Sequence, residues 1–142
     1  MQTFPIFKQK HEDLLRELTR LSSLISEEQL ADKATASLAH QKLCQIMVSV
    51  KTHLIEEDNF IYPPLLTHAD PKLKTIAWNF IGNRKFLTKA VDEFLPKLQQ
   101  CQYEFDPPMV KDTRVILDLL CKRFENERDV LFPEFEALDV NN

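Results

Sequence analysis

Glycine is almost missing from this chain: Gly82 is the only one in 142 residues. Strands joined by tight turns need glycine and β-branched runs, so a sheet protein is excluded and a helical one expected. No apolar run is long enough to span a bilayer, which excludes a helical membrane anchor. A basic excess is lacking as well. The formal net charge is −4, with acidic and basic residues interspersed, and nucleic acid is therefore excluded as a partner. The cysteines, Cys44, Cys101 and Cys121, are odd in number and widely spaced, so no disulfide framework is expected. With no signal sequence visible, reduced thiols in the cytoplasm are the expectation. There is no glycine-rich phosphate loop and no serine or cysteine nucleophile paired with a base at the level of the seam polars, so no enzymatic activity is expected.

What is present is helical punctuation and heptad spacing. The length fits a single domain over residues 1–142. After Thr3-Phe4-Pro5, a start signal, Phe7, His11, Leu14, Leu18, Leu21 and Ile25 follow one another at steps of 4, 3, 4, 3 and 4. Ser26-Glu27-Glu28-Gln29 has the form of a capping box, and the second helix begins somewhere between residues 26 and 36. That helix carries Ala36, Ala39, Leu43, Ile46, Val50, His53, Glu57 and Phe60, and the pattern predicts its end at Pro63-Pro64. Asp70-Pro71 opens a third helix with Ile76, Phe80, Asn83, Leu87, Ala90 and Phe94 in its seam. Pro96 bends or ends it, and residues 99–106 form a loop. Asp106-Pro107-Pro108 opens a fourth helix with Thr113, Ile116, Leu120, Arg123, Glu127 and Val130. Four helices with short connections predict an all-α, antiparallel, up-down-up-down four-helix bundle.

The polar intruders in these seams carry the functional signal. His53-Leu54-Ile55-Glu56-Glu57 sets an imidazole and a carboxylate one turn apart, five residues before Tyr62-Pro63. Seventy positions on, Arg123 and Glu127 stand the same way before Phe132-Pro133. The two halves of the chain repeat: Asn83-Arg84-Lys85-Phe86-Leu87 aligns with His11-Glu12-Asp13-Leu14-Leu15. Counting residues from the loops at about 1.5 Å per residue puts His11, His53, Glu57, Asn83, Arg123 and Glu127 in one interior layer.

On these residues nearly the whole chain resembles the hemerythrin-like, or HHE cation-binding, domain family. The matching positions are His11, His53, Glu57 and Glu127; Asn83 and Arg123 stand where the family pattern has histidines. The resemblance implies a four-helix bundle holding non-haem iron, and a role in binding or sensing oxygen, nitric oxide or another small redox species.

Arg123 restricts that implication, because a guanidinium has no lone pair to donate and its charge opposes a second cation. Two readings stay open. In one, His11, His53, Glu57 and Glu127 hold one iron, manganese or zinc ion, with Arg123 and Asn83 beside it and a small diatomic ligand or anion as partner. In the other no metal binds, Arg123 is the counter-ion of both glutamates, and the bundle serves signalling or interaction. His40 and Cys44, one turn apart, face away from the seam and are two ligands without a site; His68 is a solvated loop residue. Outward-facing Trp78 with Ile81, and Cys44 with Val48, are candidate contacts for a homodimer or a partner protein.

Overall fold

A computed structural model describes residues 3–141 of the chain. Among these the fold is all-α, without strands. The helices are α1 (Phe4–Ser22), α2 (Glu27–Leu30), α3 (Lys33–Glu56), α4 (Tyr62–Leu66), α5 (Pro71–Cys101), α6 (Pro107–Asn126) and α7 (Phe132–Asn141). Two π-helical segments, Glu57–Ile61 and Glu127–Leu131, join α3 to α4 and α6 to α7 without a break. The long helices pack as neighbours, α1 against α3 and α6, and α5 against the same two. No helix among the described residues is long and apolar enough to cross a membrane.

Local chemistry explains most starts. Ser26, Asp32, Asp70 and Asp106 each accept a hydrogen bond from a backbone N–H of the first turn they precede. The long second helix thus begins at Lys33, inside the expected window, after the separate short α2. Thr3 precedes α1 without a side-chain cap. Pro96 does not end α5, which runs on to Cys101.

The expected stop at Pro63-Pro64 is corrected by the structure. In each π segment the closing N–H reaches back five residues, from Tyr62 to the Glu57 carbonyl and from Phe132 to that of Glu127. The prolines then fall in the first turn of a new α-helix, where a missing N–H costs nothing, and the helix continues. The extra residue also turns the helix phase. Phe60 is half-buried and Val130 exposed, while their neighbours Ile61 and Leu131 are fully buried in the places expected for them.

Apolar packing falls into two clusters. Leu18, Leu43, Leu98 and Leu117 belong to the larger one, Phe7, Ile61, Phe132 and Leu65 to the smaller. Between them along the chain, on α1, lies His11, preceded by Phe7 and followed by Leu14. The polar layer therefore interrupts the core. Of the outward pairs, Trp78 and Val48 are exposed, but Ile81 and Cys44 are half-buried against the apolar clusters. Each expected contact thus offers one large exposed apolar side chain.

Candidate metal centre

Five of the six expected polar residues are buried together: His11, His53, Glu57, Arg123 and Glu127. Asn83 is not among them. It is exposed, a correction that follows from how Arg123 fills the space facing α5. Arg123 Nη1 donates to the Phe80 carbonyl at 2.9 Å, and its guanidinium lies 4.9 Å from the Phe80 ring centre. An asparagine pushed into the same space would lose water without gaining a partner, so its amide stays outside.

Glu127 is the hub. One of its oxygens, Oε1, lies 3.1 Å from His11 Nε2 and 3.4 Å from His53 Nε2. The other, Oε2, accepts from Arg123 Nε at 3.1 Å. Glu57 Oε2 stands 3.1 Å from His53 Nε2. Glu57 Oε1 accepts from the Tyr62 hydroxyl at 3.3 Å and lies 3.5 Å from Arg123 Nη2. Nη2 in turn donates to the Tyr62 hydroxyl at 2.6 Å. Tyr62 was therefore missed as a member of the layer. The signal was present in the repeat, where Tyr62-Pro63 in one half meets Phe132-Pro133 in the other.

Aromatic rings hold the imidazoles in place. Phe7 stacks on His53 at 4.7 Å and Phe124 on His11 at 4.9 Å, while Phe132 meets His11 edge-on at 4.6 Å. This apolar casing sets the proton affinities. Burial lowers the His11 pKa by more than its hydrogen bond to Glu127 raises it. Burial opposes charge on His53 too, but the hydrogen bonds to Glu127 and Glu57, with their charges, outweigh it and push the pKa up to about 10. Burial, and next the charge of Glu127, push Glu57 up to about 8. Burial would raise Glu127 likewise, yet its hydrogen bonds with Glu57, His11 and His53 hold it well below the usual carboxylate range. Without metal, then, a proton is held in the His53–Glu57 contact and Glu127 stays charged.

His11, His53 and Glu127 each offer one ligand atom, and these atoms lie within 4.8 Å of one another. This buried group could hold a single metal ion. Glu57 falls outside it, displaced toward Tyr62 and Arg123. Among the described residues His11 Nδ1 is buried without a hydrogen-bond partner, so a proton moved there to free Nε2 would meet no acceptor. Two clefts approach the layer. One between α1 and α3 reaches His53 and includes Leu14, Ser49 and Thr52; another between α5 and α6 reaches Arg123. His40 Nε2 lies 2.8 Å from the Leu98 carbonyl, and Cys44 Sγ is 4.0 Å from the ring, away from the layer. In the α4–α5 loop, His68 accepts from the Asp70 N–H.

No protein-family model, curated protein or solved structure matches this chain. Fold and site together define the class: an all-α protein with a buried histidine–glutamate group able to hold one metal ion.

Proposed function

We propose that this chain is a hemerythrin-like four-helix bundle that binds one divalent metal ion, with iron as first choice, and uses it to bind or sense a small molecule in the cytoplasm. The observation that carries the reading is the convergence of His11, His53 and Glu127 within 4.8 Å. Two imidazoles and one carboxylate are the donor set of non-haem iron sites that keep open positions. When bound, such an ion would supply those positions to a small ligand. The protein's own groups would exclude water through Phe7, Phe124 and Phe132, and hold Glu127 in place through Arg123.

A second reading is favoured by one observation. Arg123 lies within ion-pairing distance of both Glu127, at 3.1 Å, and Glu57, at 3.5 Å. A permanent cation there, with a protonated His53, neutralises both carboxylates without metal. The bundle would then act in signalling or interaction. Metal analysis of protein purified without added metal, followed by an optical spectrum after anaerobic iron loading, separates the readings. Near-stoichiometric metal with iron-dependent absorption supports the first. Metal far below one equivalent, with no iron-dependent absorption, overturns it.

A further inference from the structure

From Trp78 to Phe86 α5 buries no residue, although it is buried at Ala77 before and Leu87 after. Beside this stretch α5 and α6 enclose a groove of about 490 Å³, a volume in the range of small-molecule sites. Its apolar walls include Phe80, Phe86, Leu119 and Val130, and Phe86 is left 66% exposed. Its polar groups are Asn79, Asn83, Asn126, Lys122 and Arg123, with no carboxylate among the lining residues. In a chain with 22 acidic and 18 basic residues, that local balance is opposite to the whole.

We propose that this groove binds a small organic anion with an apolar body, of the monocarboxylate class. Charge complementarity decides the ligand. Among the described residues Lys122 makes no ion pair and the side-chain amides of Asn79, Asn83 and Asn126 make no hydrogen bond, so all four can turn to a carboxylate. Arg123 closes the inner end, its guanidinium already fixed by Phe80, Tyr62 and Glu127 and therefore pre-organised. The exposed faces of Phe86 and Val130 would cover the ligand's hydrocarbon and lose their contact with water. The site stands on the groove alone and holds whether or not the buried layer takes a metal.

The test is calorimetric titration of the metal-free protein with octanoate, 1-octanol and octylammonium. Octanoate is expected to bind saturably and about tenfold more tightly than octanol, with octylammonium weakest. Lys122→Gln, at an exposed position, should remove most of the octanoate advantage, and Val130→Trp should abolish binding by filling the groove. Lys111→Gln, about three turns away on α6, should leave it unchanged. Octanol binding as tightly as octanoate, absence of saturable octanoate binding, or full binding by folded Val130→Trp would each overturn the proposal.

Discussion

Arg123 and Glu127 stand one helical turn apart, Nε 3.1 Å from Oε2, and both are buried. The pair occupies the place that His53 and Glu57 occupy in the first half of the chain, where imidazole and carboxylate are also 3.1 Å apart. An arginine in that place cannot ligate, but it can stabilise. Replacing it by leucine would strand two carboxylates in an apolar casing. Arg123→Leu is therefore expected to destabilise the metal-free protein by about 3–5 kcal/mol, read from urea unfolding. Arg123→His, which supplies a donor and removes a fixed charge, should raise metal affinity. Unchanged stability in the leucine variant would remove the counter-ion role.

The two glutamates should not respond alike to loss of charge. Glu127 shares one oxygen with both imidazoles, whereas Glu57 meets only one imidazole, that of His53, and turns its other oxygen to Tyr62 and Arg123. Glu127→Gln should take metal binding below detection in a cobalt or zinc titration. Glu57→Gln should weaken it by about 10–100-fold, as expected of a group that orients a ligand. Equal losses would mean that the ion sits midway between the carboxylates.

Stability should fall as pH rises in the metal-free protein. His53 goes from an ordinary 6.5 to about 10 on folding, so the folded state holds the extra proton between those values. Its contribution is complete below 6.5 and lost as pH rises through about 10. Glu57, raised from 4.5 to about 8, acts with the same sign in a lower window. Glu127 acts oppositely, its contribution being lost only as pH falls below the ordinary carboxylate range. Melting temperatures from pH 6 to 10 should therefore decline steadily. A metal ion must expel these protons, so its stabilising effect should grow over the same range.

Much of this arrangement was legible in the sequence because buried layers obey helical spacing. His11, His53, Glu57, Arg123 and Glu127 occur at seam steps of three and four, and all five are buried. The aspartate-proline starts at Asp70 and Asp106 were legible for the same local reason. Asn83 was not, because seam spacing identifies a face and cannot tell which neighbour fills the space before it; Arg123 does. The π segments were hidden because proline reads as a stop whenever the preceding turn is taken to be α-helical. Val130 then falls on the wrong side by the one residue that each π turn adds.

Gly82 offers a test of the opposite kind, where nothing is at stake. A close helix approach would justify a glycine in mid-helix, but a Cβ built there meets nothing within 4 Å, and the backbone has no positive φ. Gly82→Ala should stabilise the protein by about 1 kcal/mol through helix propensity alone. A loss of stability in thermal unfolding would reveal a contact at that position.

Tyr62 and Phe132 hold equivalent places in the two halves, and their difference follows from the partner each one meets. Phe132 presents its ring to His11 at 4.6 Å, where an apolar edge suits a neutral imidazole. Tyr62 places a hydroxyl 2.6 Å from Arg123 Nη2 and passes its own proton toward Glu57 Oε1 at 3.3 Å, linking cation and carboxylate. Burial, above all, pushes its pKa upward, so the hydroxyl stays neutral and able to donate. Tyr62→Phe keeps the ring but leaves Nη2 without its shortest acceptor, and should cost about 1–3 kcal/mol in unfolding free energy. In the double variant Arg123→Leu with Tyr62→Phe, the second change should cost much less than it does alone, because the hydroxyl's cation is already gone. Fully additive losses in that cycle would show that Tyr62 serves the apolar cluster and not the charged layer.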